Sequence, residues 1–386
     1  MAKFGRSVAH VQFRWGDHAA AIETVRDTVK LAEDVSGTSR AVLITHLVAV
    51  GCEALAIQPL ETFTHELAVS TSHPGRQIST EGSAATRGQV EALIRELLDE
   101  ESLWFALKNA LQTERASQLD MVGQFLTGKS NLAELVAVAA LVDGPAIPPA
   151  PVRAVVRPAL LELDGFFMLR HTSEAIRATT LRDWPTASAI LDRRERELER
   201  VAERGSLRAS MHILSEFLLP SLSRVVLLHY RMIASRRMAA IGLAIRLFEL
   251  DRGRRPVKLA ELVPDYLEVL PVDPFARDGR TFGYKPNAER PVLYSISDDE
   301  RDDGGQYELK ADGEVDLNQK DLVYFLNGDR PRKPVGPPSG ASPSGQAVED
   351  YSQEEVGQGD SEPDEEDGGQ SVSKVSNSLN GVLAIR

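Results

Sequence analysis

The chain has 386 residues, of which 42% are hydrophobic and 26% are charged. This composition is near the globular average, so the sequence predicts a buried core. The formal net charge of −13 gives no general attraction to nucleic acid or to anionic lipid. Cys52 is the only cysteine, which excludes an intrachain disulfide, a cysteine-rich zinc site and an iron-sulfur cluster.

The N-terminal region contains no continuous apolar core of signal-peptide length. Residues 7–15 have the pattern of the end of an amphipathic helix without a capped beginning, so a missing upstream anchor is kept as an alternative. The longest apolar run, Ala41–Ile57, is interrupted by His46 and Glu53. A membrane span needs about 20 apolar residues with few charges, so this run predicts a buried helix. The compartment stays open between cytoplasmic and extracytoplasmic membrane-associated.

Residues 17–250 show a helical period almost throughout. In the first such segment Ile22, Val25 and Val29 fall three or four residues apart, which places them on one face. The preceding turn, Trp15-Gly16-Asp17, is similar to the turn of a tetratricopeptide (TPR-like) unit, but the pattern does not return at a period near 34 residues. We therefore predict a mainly α protein in which residues 1–221 form an irregular antiparallel helical scaffold.

Residues 222–326 predict a long helix followed by a small antiparallel sheet. The helix begins at Leu222 and is expected to end near Gly253, since glycine takes the left-handed conformation that ends many helices. A short helix fits Leu259–Val263. Apolar and aromatic runs between turn-forming residues then mark the strand candidates. These are Thr281–Tyr284, Val292–Ile296, Tyr307–Leu309 and Leu322–Phe325.

This order of segments resembles the C-terminal part of the major pseudopilin of type II secretion systems. The matching segments are Ala244–Phe248, Gly253–Pro256, Leu259–Val263, Tyr266–Leu267, Leu270–Phe275, Phe282–Tyr284, Val292–Asp299 and Asp302–Gly305. The whole chain up to residue 305 is also similar to uncharacterised helical proteins of planctomycete bacteria. Neither resemblance implies an enzymatic activity.

The long helix departs from the pseudopilin pattern. A pseudopilin begins with about 20 uncharged apolar residues that lie in the membrane and then in the filament core. The corresponding helix here carries a series of basic side chains, so we do not predict a filament subunit. They are Arg224, His229, Arg231, Arg236, Arg237 and Arg246.

The resemblance implies calcium at the loop after the last matching strand. Asp298, Asp299, Asp302 and Asp303 supply the carboxylate oxygens that calcium prefers, and the following glycines allow the loop to fold back. Clustered aspartates also occur in solvated surface turns that hold no ion, and the spacing is not that of an EF-hand loop. Both interpretations stay open.

Residues Gly123–Ser130 satisfy the phosphate-loop pattern G-x-x-x-x-G-K-[ST]. That motif needs a buried strand before it and a parallel sheet around it. The preceding residues, Thr113–Asp120, are polar and helix-like. We therefore keep a nucleotide-binding P-loop protein as the alternative function, to be decided by whether the string follows a strand or joins two helices.

The C-terminal segment, residues 327–386, differs in composition from the rest. From residue 331 onward it contains ten acidic and four basic residues and few large apolar ones, so we predict a disordered acidic tail.

Elsewhere the histidines, Cys52 and the serines form no recognisable catalytic or metal-binding set. The sequence therefore indicates a non-enzymatic structural or interaction protein, and the resemblances imply that it belongs to the bacterial envelope or to a secretion-type assembly. The sequence does not identify the protein partner, and nucleic acid is not expected as one. Membrane association is expected only through a partner or an upstream anchor.

Overall fold

The structure is a computed structural model, and it describes residues 1–37, 42–70, 83–127, 129, 158–203, 220–310, 315–316 and 320–331. Residues Met1–Arg332 form one compact unit. Most of the predicted acidic tail lies outside the described residues. Its first residues are described, and there Arg330 forms an ion pair with Glu61 at 2.8 Å.

The described fold is mainly helical with a few small sheets, as predicted. The helices are α1 (Ala2–Arg14), α2 (His18–Ser36), α3 (Leu43–Phe63), α4 (Arg87–Leu98), α5 (Glu101–Leu126), α6 (Pro158–Ala178), α7 (Trp184–Glu203) and α8 (Pro220–Arg252). Two short 3₁₀ helices cover Thr64–Glu66 and Leu259–Leu262.

Helices α1 and α2 form an antiparallel pair around a tight turn. Gly16 has a φ of 84°, a conformation that glycine adopts without steric cost. Asp17 then caps α2, because its Oδ1 accepts a hydrogen bond from the Ala20 amide at 3.1 Å. Farther along the pair, Thr24 donates to Gln12 at 2.7 Å. The glycine turn seen in the sequence therefore joins two packed helices.

Helix α3 carries the long apolar run and packs against α1, α2, α5 and α8. By length and composition alone it is the one described helix that could cross a membrane. However, 56% of its most apolar window is buried inside the fold, and the polar residues His46 and Glu53 are buried there too. The prediction of a buried helix is confirmed.

Helix α8 is the element around which the rest is arranged. It contacts α3, α4, α6, α7 and two strands of the C-terminal sheet. It ends as the sequence predicts, with Gly253 at a φ of 67° and its amide donating to the Glu249 carbonyl at 2.8 Å. One hydrophobic core extends from Phe63 through Ile241 to Leu293, so the helices and the sheet share their packing.

The C-terminal sheet has the order β3-β4-β7, and all its neighbours are antiparallel. The strands are β3 (Gly283–Lys285), β4 (Val292–Ser295) and β7 (Leu322–Phe325). A second antiparallel pair is β5 (Glu308–Leu309) with β6 (Val315–Asp316), and a short parallel pair near α4 is β1 (Val69–Ser70) with β2 (Ala85–Thr86). The predicted strand segments thus all contain a strand, with ends that differ from the prediction by at most two residues.

Candidate functional site

The predicted calcium ligands lie in the segment that follows β4, which we call the acidic loop (residues 298–305). The chain enters the loop at Ser297, whose φ is 58°, and leaves through two glycines with φ of 70° and 74°. The loop lies against the helices, since the Trp184 indole of α7 donates to the Asp298 carbonyl at 3.4 Å. The loop is therefore fixed to the helical part of the fold.

Two of the four predicted ligands are engaged by arginines. The Asp298 carboxylate accepts a short hydrogen bond from the Arg231 guanidinium of α8. The Asp302 carboxylate accepts from Arg280 at 3.0 Å. Since each guanidinium neutralises the carboxylate that it contacts, the repulsion within the acidic cluster is reduced by protein groups.

The other two predicted ligands take part in backbone turns. The Asp299 side chain accepts from the Arg301 amide at 3.0 Å. The Asp303 amide donates to the Asp321 carboxylate at 3.4 Å, and the Gly305 amide donates to the same carboxylate at 2.6 Å. Within the described part of the chain, no group of three or more His, Cys, Asp or Glu side chains is arranged to hold a metal ion. An ion at this loop would compete with Arg231 and Arg280 for the Asp298 and Asp302 carboxylates.

The sequence analysis missed Asp321, which organises the base of the acidic loop. Its side chain is withdrawn from solvent. Burial, with the nearby carboxylates of Asp302 and Asp303, raises the pKa of Asp321 to about 6, while the hydrogen bonds from the loop amides act in the opposite direction. In the sequence, the feature that could have drawn attention to Asp321 is its position immediately before β7. Its place beside the acidic loop follows only from the sheet topology.

Asp273 plays a similar part on the opposite side of β4. Its carboxylate accepts a hydrogen bond from the Phe275 amide at 3.0 Å and so forms a turn. It also accepts from the Ser295 hydroxyl at 2.7 Å and from the Ile296 amide at 3.0 Å. The pKa of this carboxyl group is raised, because the effect of burial exceeds the opposing effect of the three hydrogen bonds. These contacts fasten the turn to the end of β4.

The phosphate-loop string begins inside a helix. Gly123 belongs to α5, and the Thr127 hydroxyl donates to the Gly123 carbonyl at 2.8 Å. The Lys129 amide continues the helical turn by donating to the Gln124 carbonyl at 2.9 Å, and its side chain is exposed. Gly128, Ser130 and the residues that follow lie outside the described residues. A helix, and not a strand, therefore precedes the string.

A pair of buried histidines joins α3 to α8. The ring centroids of His46 and His229 are 5.2 Å apart, and the Trp104 ring meets His229 edge-on at 4.4 Å. Neither ring nitrogen of either histidine has a hydrogen-bond partner within the described fold. Burial lowers the pKa of His46 to about 4, and burial also lowers the pKa of His229 well below its ordinary value. Both imidazoles are therefore neutral side chains of the core.

Comparison with known protein families, with curated proteins and with solved structures gave no match.

Proposed function

We propose that the protein is a non-enzymatic structural or interaction protein that works in an assembly of the bacterial envelope. The observation that carries the proposal is a pair of exposed aromatic side chains on two helices that pack together. Phe105 of α5 is 64% exposed and Phe166 of α6 is 67% exposed. Exposed aromatic side chains of this size are typical of surfaces that contact other macromolecules. The resemblance of the C-terminal segments to a secretion-system component supports the location.

The framework behind this surface is suited to presenting it. Helix α5 packs on α6, and Thr172 of α6 donates to the buried Gln118 of α5 at 2.7 Å. The Arg115 guanidinium of α5 also donates to the Ser173 hydroxyl at 3.2 Å. A packed helix pair with cross-links of this kind holds exposed side chains in fixed relative positions, which lowers the entropy cost of binding.

The test is site-specific photo-crosslinking of the full-length chain in its own cells, with the membrane fraction retained. A photoreactive phenylalanine analogue is placed at Phe105, at Phe166 and, as the control, at Lys30 of α2, whose side chain is 69% exposed. We expect discrete crosslinked partners at the two aromatic positions and none at the control. The same products at all three positions, or none at any, would contradict the proposal.

The alternative function is nucleotide binding by Gly123–Ser130. Because Lys129 is exposed at the end of a helix, we expect Lys129→Ala to change neither stability nor any nucleotide affinity. Titration calorimetry with ATP and magnesium measures this directly. Micromolar binding that Lys129→Ala abolishes would replace the proposal with the P-loop alternative.

We further propose, from the resemblance alone, that calcium binds the acidic loop. Carboxylate oxygens are the ligands that calcium prefers, and Asp299 and Asp303 are not engaged by arginines in the described contacts. The ion would hold the loop in a single conformation at the surface of the sheet.

A further inference from the structure

The outer face of α1 carries large apolar side chains that the rest of the fold leaves in solvent. Phe4 is 72% exposed, Val11 is 44% exposed and Trp15 is 76% exposed. With the partly exposed Val8, they follow the spacing i, i+4, i+7, i+11. Phe4, Val8 and Val11 therefore lie on one face of the helix, and Trp15, the residue that caps its C-terminal end, continues that face. Phe13, on the opposite face, is buried and stacks on a phenylalanine of α3. The helix is therefore apolar on its inner face and also on its outer face.

The charged residues of α1 are all basic. The segment Ala2–Arg14 contains Lys3, Arg6 and Arg14 and no aspartate or glutamate. Lys3 and Arg14 are exposed beside the apolar face, whereas Arg6 donates to Gln58 of α3 at 2.8 Å. Since the whole chain carries a formal charge of −13, α1 is a local basic element on an acidic protein.

Charge decides which occupant fits this face. A second copy would place α1 against α1, and in either orientation basic side chains would meet basic side chains with no acidic residue of α1 to offset them. A negatively charged surface is instead attracted to Lys3 and Arg14 while it accommodates the apolar face. A helix with aromatic residues on one side and basic residues beside them is typical of binding in the plane of a membrane interface.

We propose that the outer face of α1, from Phe4 to Trp15, docks on an anionic lipid bilayer. Phe4 and Trp15 are eleven residues apart, about 16 Å along the axis, so the helix lies flat with an aromatic side chain near each end. Tryptophan is favoured at the level of the lipid headgroups. The proposal deepens the proposed function by naming one partner of the interaction protein.

The chain contains its own reporter for this contact. Of its three tryptophans, Trp104 and Trp184 are only 3% and 7% exposed, whereas Trp15 is 76% exposed. A change in emission on adding lipid therefore reports mainly on α1. We expect full-length protein to show a blue shift and protection from acrylamide quenching with vesicles of phosphatidylglycerol and phosphatidylcholine, and little change with phosphatidylcholine alone.

Variants on α1 separate the apolar from the electrostatic part of the contact. Phe4→Ser with Val11→Ser should abolish the blue shift and the co-flotation with anionic vesicles. Lys3→Gln with Arg14→Gln should lower the partition coefficient about 25-fold, at about fivefold per basic residue. Val269→Ser, at an exposed apolar position outside both α1 and the α5–α6 pair, should bind vesicles as the unaltered protein does. Circular dichroism checks that each variant is folded.

Three results would overturn the proposal: no binding to either vesicle, equal binding to both vesicles, or unchanged binding by the α1 variants. A dimer in analytical ultracentrifugation that Phe4→Ser dissociates, without vesicle binding, would assign the face to a second copy instead. The crosslinking positions of the proposed function, Phe105 and Phe166, lie on other helices. Failure of either proposal is therefore distinguishable from failure of the other.

Discussion

Arg236 Nη1 lies 2.5 Å from Glu53 Oε1, and their side chains are 0% and 2% exposed. The same guanidinium donates through Nε to the Leu97 carbonyl at 2.9 Å and through Nη2 to the Glu96 carbonyl at 2.5 Å. Helix α8 is thus tied to α3 and to the last turn of α4, where a cation also complements the helix dipole. Burial raises the pKa of Glu53 to about 7, against the opposing effect of Arg236.

Removing one member of this pair should be strongly destabilising. Arg236→Met leaves a buried carboxylate and two carbonyl groups without their partner, so we expect the free energy of unfolding to fall by about 3–5 kcal/mol. Urea denaturation followed by circular dichroism measures the change. The control is Arg277→Met, because Arg277 is 70% exposed in its pair with Glu300 and such pairs contribute less than about 1 kcal/mol.

The double variant Arg236→Met with Glu53→Leu extends this test. It removes both charges, so we expect it to recover part of the stability that Arg236→Met loses. Equal losses of unfolding free energy in Arg236→Met and Arg277→Met would show that the buried pair contributes no more to stability than the exposed pair.

Gly283 is required by the packing of the C-terminal sheet. It pairs with Tyr294 across β3 and β4, and a Cβ atom at Gly283 would lie 2.0 Å from the tyrosine ring. Gly283→Ala must displace that ring, so we expect a loss of about 1–3 kcal/mol in thermal or urea unfolding. Gly88 of α4 is the matched control, since no atom lies within 4 Å of its added Cβ. Gly88→Ala should raise the free energy of unfolding by about 0.5–1 kcal/mol. A lower free energy of unfolding in Gly88→Ala would contradict the claim that close packing, and not glycine itself, causes the loss in Gly283→Ala.

The parts of the fold that the sequence predicted depend on local chemistry. The end of α8 at Gly253 and the strand at Leu322–Phe325 follow from residue types and spacing within a few positions. The burial of the run around His46 follows from its apolar composition and from the polar residues that interrupt it. These features need no knowledge of which elements become neighbours.

The partners of the charged residues could not be predicted in this way. The arginines on α8 could be read from the sequence but their contacts could not, since Arg236 meets Glu53, 183 positions earlier in the chain. Arg330 likewise pairs with Glu61, although the boundary predicted from composition placed it in the disordered tail. Such pairs depend on the topology that brings distant segments together, and the sequence alone gave no information about it.

The acidic loop gives a test of the calcium proposal. Calcium that binds only the native state should raise the free energy of unfolding by about 2.7 kcal/mol at a hundredfold excess over Kd. We therefore expect the melting temperature to rise in millimolar calcium and to fall in chelator, with a smaller effect of magnesium. Asp303→Asn should remove the response.

The arginine contacts of the loop allow a second test of the calcium proposal, with a matched control. Arg280 contacts Asp302 and so competes with an ion for that carboxylate. Arg280→Gln should strengthen the calcium response, whereas Arg255→Gln, which removes a contact with Glu249 outside the loop, should leave it unchanged. Melting curves that coincide in calcium and in chelator would leave the loop as a turn held by arginines and Asp321.

The buried histidines predict a loss of stability in weak acid. The pKa of His46 is lowered to about 4 in the folded protein by burial, whereas an unfolded histidine titrates near 6.5. Because the folded-state pKa is the lower one, the stabilisation is fully present above about pH 6.5 and is lost as the pH falls toward 4. The difference corresponds to roughly 3 kcal/mol for His46. His229 acts in the same direction, since burial, His46, Arg182 and Arg236 all lower its pKa.

His46→Leu isolates this contribution. The raised pKa of Asp321 gives an opposite slope near pH 6, but it is common to both proteins and cancels in the comparison. We expect the free energy of unfolding, measured by urea at intervals from pH 7 to 5, to fall less steeply in His46→Leu than in the unaltered protein. Ile44→Ala, a change at an exposed and non-titrating position on the same helix, should keep the original slope. Parallel pH profiles for His46→Leu and the unaltered protein would show that carboxylates, and not the buried imidazoles, set the acid limit of the fold.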